Sequence, residues 1–183
     1  MPMIIDSGWI RGVRKVPSPN CDARPPGTTL DLIVVHGISL PPGVFGGGWI
    51  DDLFLNRLDP DAHPYFASIA GLTVSAHVLI SRHGELTQYV GFEQRAWHAG
   101  ASSYCGRTGC NDFSVGIELE GADDVPYEPA QYESLARLVR SLRSAYPTLA
   151  DAPLVGHSDI APGRKTDPGP AFDWALCRRM CAR

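Results

Sequence analysis

A chain of 183 residues suits one compact domain and is long enough to bury a core without disulfide staples. With 44% hydrophobic and 20% charged residues it has the composition of a globular protein, and a net charge of −4 gives no electrostatic case for a nucleic-acid partner. No run approaches the roughly 18 apolar residues of a membrane-spanning helix, so no membrane partner is expected.

The opening MPMIIDSGWIRGVRKVPSP lacks the basic start, apolar centre and small-residue cleavage site of an export signal, so a cytoplasmic location is expected. Residues 1–29, rich in Pro, Gly and Arg, are read as an irregular wrap. DLIVVH (31–36) is a short apolar, β-branched run and predicts a buried strand. SLPPGVFGGGW (39–49) holds too many breakers for a regular element, and short helices are expected over 50–56 and 63–70. VSAHVLI (74–80) and LTQYV (86–90) predict a hairpin with Gly84 in the turn. A long loop, 96–112, leads to the strand FSVGIELE (113–120).

EPAQYESLARLVRSLRSAY (128–146) places Tyr132, Leu135, Leu138, Val139 and Leu142 at helical spacing, opened by Glu128 or Pro129 and followed by Pro147. APLVGH (152–157) predicts a strand, 156–170 a breaker-rich loop, and 171–182 a terminal helix. Strands alternating with helices indicate an α/β fold, a mixed sheet flanked by helices in a single domain. Five cysteines and no export signal argue for free thiols. The alternative, a structural zinc site built from Cys105, Cys110, Cys177 and Cys181, has spacings that match no standard finger.

Several residues carry chemistry or a plainer role. His36 closes a strand, either projecting into a crevice or only marking where the chain leaves the core. His157 ends a strand-like run, and Asp167 follows across a loop long enough to fold back. Two imidazoles and a carboxylate suit zinc with one open position; otherwise Asp167 is a turn residue before Pro168. Lys165 is a solvated cation unless it faces a developing oxyanion. Glu118 and Glu120 share one face of their strand, available for proton transfer or simply solvated. His77 reads as a hydrogen-bonded core histidine, while His63 and His83 read as surface residues. His98 lies in a loop where it can line a pocket. Trp49, Trp97, Phe45 and Tyr104 lie in Gly-rich loops, as apolar walls for a sugar ring or as loop packing.

Taken together, the segments VPSP (16–19), VVHGISLPPGVFGG (34–47), DPDAHPYF (59–66), VSAHVLI (74–80), QYVGFEQRAWHAG (88–100), NDFSVGIELEG (111–121) and GHSDIAPGRKTDPGP (156–170) closely resemble the N-acetylmuramoyl-L-alanine amidase 2 family. That family is related to phage-type lysozyme amidases and to peptidoglycan-recognition proteins. The resemblance covers nearly the whole chain and points to the cytosolic members.

It implies Zn²⁺ held by His36, His157 and Asp167 at strand ends and in the C-terminal loop. It implies Glu118, rather than Glu120, as acid/base residue and Lys165 as oxyanion stabiliser. Trp97, His98, Arg107, Phe45 and Tyr104 are the expected substrate contacts. The expected partner is a small muropeptide carrying 1,6-anhydro-N-acetylmuramic acid, cut by a monomeric enzyme of wall recycling, a process that in some bacteria controls β-lactamase induction. Gly37 stands where other members carry Asn, and Thr73 and Gly109 where they carry Arg, which leaves Arg107 as the nearby cation. A non-catalytic recognition module on the same fold is the main alternative. It is disfavoured because all three ligands are present.

Overall fold

The computed structural model describes residues 2–182. At its centre is a sheet of six strands: β1 (Arg14–Lys15), β2 (Leu32–Ile38), β3 (Val78–Ile80), β4 (Leu86–Gln88), β5 (Ser114–Glu120) and β6 (Leu154–Gly156). Their lateral order is β6–β2–β5–β3–β4–β1. The first four in that order are mutually parallel; β4 is antiparallel to β3, and β1 is parallel to β4. The helices are α1 (Trp49–Phe54), α2 (Pro64–Ser68), α3 (Pro129–Ala145), α4 (His157–Ile160) and α5 (Trp174–Cys181).

Strand parity divides the core. The odd positions Ile33, Val35, Val115, Ile117 and Leu119 pack against Leu135, Leu138, Val139 and Leu142 of α3, the seam read from helical spacing. Each such side chain contributes roughly 1.5–3 kcal/mol when fully buried. Helix α3 starts with Pro129 in its first turn; Glu128 N–H donates to Gln131 Oε1 at 3.0 Å, and Gln131 Nε2 donates to the Glu120 carbonyl at 2.9 Å. Helix α5 packs on α3 with Cys177 and Cys181 buried. On the even face, Leu32, Val34 and Val155 pack with Ala99, Cys110 and Phe113 of the long loop. Among the described residues no helix is long and apolar enough to cross a membrane.

The structure differs from the sequence reading in three places. Residues 1–29 are not irregular throughout: they hold four strands of two or three residues, one of which, β1, edges the sheet. The 96–112 loop contains a small hairpin, Ser103–Tyr104 with Arg107–Thr108, turned by Cys105 (φ 47°) and Gly106 (φ 80°). His157 opens α4 rather than ending a strand, because Asp159 Oδ2 accepts from Gly156 N–H at 2.7 Å and starts the turn there. Of the two readings of the Glu118 and Glu120 face, cleft or solvent, the solvated one fails, since β5 is an interior strand with every residue buried.

Candidate active site

Three parallel strands deliver the site to one edge of the sheet. In the ladder Glu118 of β5 lies opposite His36 of β2, and Gly156 of β6 lies opposite Val35, so His157 emerges beside His36. This is the carboxyl end of the parallel strands, where α/β sheets form their crevices. The loop after α4 then folds back: Ser158 N–H donates to the Asp167 carbonyl at 3.0 Å, and the Tyr127 hydroxyl donates to the Pro168 carbonyl at 3.0 Å.

The result brings together three residues that spacing left open. His36 Nδ1 and His157 Nδ1 are 3.0 Å apart, and Asp167 Oδ2 lies 3.3 Å and 3.1 Å from them. His157 Nε2 faces the Ala99 carbonyl at 3.2 Å, a group that can only accept, so a ring hydrogen sits there and Nδ1 is the atom left to serve as a ligand beside the carboxylate. Acceptors held this close repel unless a cation joins them. A tetrahedral ion with bonds of about 2.0–2.1 Å separates its nitrogen and oxygen ligands by about 3.3 Å, which these edges match. Zinc therefore fits the donor set.

The protonation states agree. Burial pushes His36 down to about 4. Burial alone would raise Asp167, but the His157 and His36 rings beside it outweigh that and hold it well below the usual carboxylate range. Neutral imidazole and carboxylate are the ligand forms. The four cysteines of the alternative site do not converge: Cys105 is exposed and Cys110 lies in the even-face cluster, apart from the Cys177–Cys181 pair. Among the described residues His36, His157 and Asp167 form the one cluster able to hold a metal.

The two glutamates separate on their partners. Glu118 lines a cavity of about 550 Å³ beside His157 and Asp167, and its buried Oε2 has no hydrogen-bond partner among the described residues. Burial, and then the Asp167 charge, push its carboxyl well above the usual range, with Lys165 opposing. Glu120 instead accepts from Gly46 N–H with Oε1 and from Arg82 N–H at 3.1 Å with Oε2, pinning two loops. Lys165, exposed, and Arg164 also line the cavity, whose apolar lining includes Leu40, Leu53, Tyr65, Leu72 and Trp97.

Of the expected substrate contacts, Trp97 and His98 line this cavity, though the His98 ring is engaged with His36 at 2.9 Å. Phe45, Tyr104 and Arg107 do not line it. Phe45 packs under the Arg82 guanidinium, Tyr104 belongs to the small hairpin, and Arg107 stacks 3.7 Å from Phe113 while pairing with Asp31 at 2.7 Å. The hairpin has its own partners, which hold Tyr104 and Arg107 away from the cavity. His77 is a fully buried core histidine bonded to the Gln94 carbonyl and Gly116 N–H.

Three residues escaped the sequence reading. Arg164 Nη2 donates to the Ala99 and Ala101 carbonyls at 2.6 Å and 2.8 Å, and its place beside Lys165 was the available signal. Asn111 Oδ1 accepts from His98 and Ala99 N–H, and Tyr127 lies over Gly37 and Gly121; neither had a sequence signal. A Cβ at Gly37 would collide with the Tyr127 hydroxyl, whereas the ring carbon bearing it lies at 3.5 Å, ordinary contact. Gly37→Ala is expected to cost about 1–3 kcal/mol through overpacking, and Tyr127→Phe in the same chain to recover part of it. Denaturation midpoints in a double-mutant cycle measure this, and strictly additive effects would remove the steric account.

A mixed α/β sheet that brings two imidazoles, a carboxylate and a buried, unpartnered glutamate to one end of its parallel strands has the donor set of a hydrolase-type site. Residues 26–170 match the N-acetylmuramoyl-L-alanine amidase family. The chain is 59% identical over 181 residues to the 1,6-anhydro-N-acetylmuramyl-L-alanine amidase AmpD of Escherichia coli, covering 99% of this chain and 98% of that protein. A crystal structure of a selenomethionine derivative of AmpD superposes with a TM-score of 0.94 at 58% identity, covering 97% of this chain and 99% of the other. The E. coli amidase AmiD, in complex with anhydro-N-acetylmuramic acid-L-Ala-D-γ-Glu-L-Lys, gives 0.59 at 27% identity over 97% of this chain and 65% of the other. The chain belongs to the N-acetylmuramoyl-L-alanine amidase family. Within it, it is an amidase of the AmpD type.

Proposed function

We propose that this chain is a zinc-dependent cytoplasmic amidase, acting as a monomer, that cuts the lactyl-amide bond between 1,6-anhydro-N-acetylmuramic acid and L-alanine in wall-recycling muropeptides. Through that reaction it would bear on β-lactamase induction where recycling controls it. The observation that carries the reading is the 3.0–3.3 Å triangle of His36, His157 and Asp167, two of which, His157 and Asp167, line the same cavity as the unpartnered Glu118 carboxyl. When bound, zinc supplies the Lewis acidity that activates water and polarises the amide carbonyl.

Glu118 accepts the proton of the attacking water and returns it to the departing alanine nitrogen. Its upward-shifted carboxyl suits both halves of that transfer. Lys165 faces the carbonyl oxygen as it becomes negative. Lys165→Ala is expected to lower kcat by about tenfold to 100-fold with a smaller rise in KM, below the effect of a buried donor because Lys165 is exposed. A change confined to KM would make Lys165 a substrate-binding residue.

The names of the AmpD relatives and the AmiD complex support the anhydro sugar as substrate. The anhydro bridge locks the sugar as a compact bicycle and removes a hydroxyl, so a cavity walled by groups such as Trp97 leaves fewer polar groups unsatisfied. Anhydro and reducing muropeptides with one stem peptide, compared by mass spectrometry, test this. A higher kcat/KM for the anhydro form is expected, and equal rates would leave the amidase chemistry standing but remove the recycling assignment.

A further inference from the structure

We propose that His98 and Ser114 are positioning residues that fix the tautomer of His36, through a hydrogen-bond chain whose direction is set by the backbone carbonyl of Cys110. The inference rests on the zinc reading of His36 given above, and adds two residues to it.

The chain has four members and three links. Ser114 Oγ lies 2.5 Å from the Cys110 carbonyl oxygen, His98 Nε2 lies 3.0 Å from Ser114 Oγ, and His36 Nε2 lies 2.9 Å from His98 Nδ1. All four residues are buried, with Cys110 and Ser114 at 0% exposure. The terminal carbonyl can only accept, so the single hydroxyl hydrogen of Ser114 points at it. Toward His98 the serine then offers only a lone pair, and His98 Nε2 must carry a hydrogen. A neutral imidazole has one N–H, so His98 Nδ1 is bare. His36 Nε2 must therefore donate to it, which leaves His36 Nδ1 bare, aimed at His157 Nδ1 and Asp167 Oδ2.

Each link has one solution when both rings are neutral, the form metal binding requires of His36. The opposite tautomer of His36 would set two lone pairs against each other at 2.9 Å between two buried rings. The geometry also stops the His98 ring from turning away. It lies flat over Gly116, where a Cβ would collide with it, and Asn111 Oδ1 holds the backbone N–H groups of His98 and Ala99 at 3.0 Å and 2.8 Å.

His157 reaches the same end directly, through the Ala99 carbonyl at 3.2 Å. Both imidazoles thus trace their outer hydrogen to a backbone carbonyl, one in a single step and one through two side chains. Outer-shell partners of this kind are typically worth 10–100-fold in metal affinity.

The test uses the full chain, metal-free and then titrated with zinc against a competing chelator. In two-bond proton–nitrogen spectra of the metal-free protein, His36 and His157 should both show the Nε2–H pattern. Ser114→Ala should turn His36 into a tautomer mixture and leave His157 unchanged, which serves as an internal control for the fold. It should also weaken zinc binding by about tenfold to 100-fold. His98→Gln, whose amide can accept from His36 and donate to Ser114, should bind zinc more tightly than His98→Leu. If Ser114→Ala keeps both the Nε2–H pattern of His36 and the zinc affinity, the relay is wrong. A wild-type chain that binds no zinc would overturn the metal reading instead, and the metal-free spectra would still decide the relay.

Discussion

Glu118→Gln is expected to lower kcat by about 100-fold or more, the usual size of losing a positioned acid/base group, with KM and zinc content little changed. The amide keeps the shape of the carboxyl but can neither take the proton of the attacking water nor return it to the alanine nitrogen. Its position is prescribed by the sheet: the parallel ladder sets Glu118 opposite His36, and among the described residues no other side chain engages its Oε2.

Glu120→Gln offers the contrast. Glu120 holds Gly46 and Arg82 N–H groups, so its loss should loosen two loops and lower the unfolding midpoint while leaving most of the turnover. Steady-state rates with zinc analysis on both variants check the assignment. A larger loss of kcat at Glu120 would show that the wrong carboxylate was chosen.

The reason these two acids could not be told apart by strand pattern is that they share a parity. Only the arrival of Gly46 and Arg82, from loops distant in sequence, engages one and leaves the other. Strong periodicities were legible: the apolar run of β2, the turn at Gly84 (φ 80°), and the α3 seam from Tyr132 to Leu142 all appear where their spacing places them. Strands of two residues such as Arg14–Lys15 carry no period and were unreadable. Family resemblance supplied His36, His157 and Asp167 as a set, because their convergence depends on the register of β6 against β2 and on a loop folding back, neither of which is local. Aromatic content alone misplaced Phe45 and Tyr104. What a loop residue faces depends on partners such as Arg82 and on the small hairpin, which spacing does not show.

Chelation is expected to abolish activity, and one equivalent of zinc to restore it, with the fold retained throughout. Retention follows from the core, since the odd-face cluster of β2, β5 and α3 makes no use of the metal ligands. Asp167→Asn should separate metal binding from folding. It keeps the side-chain volume and the backbone bond from Ser158 N–H to the residue-167 carbonyl, but removes the negative charge next to two imidazoles. Two neutral nitrogens and an amide oxygen hold a dication more weakly than the native set. The variant should therefore carry well under one zinc per chain after dialysis and lose more than about 100-fold in turnover, since without bound metal the water is no longer activated near neutral pH. Excess zinc should recover part of that rate, which the chelated wild type regains in full. Metal analysis beside an amidase assay reads both quantities on the same sample, and full turnover in verified metal-free protein would sink the zinc mechanism while leaving the family assignment intact.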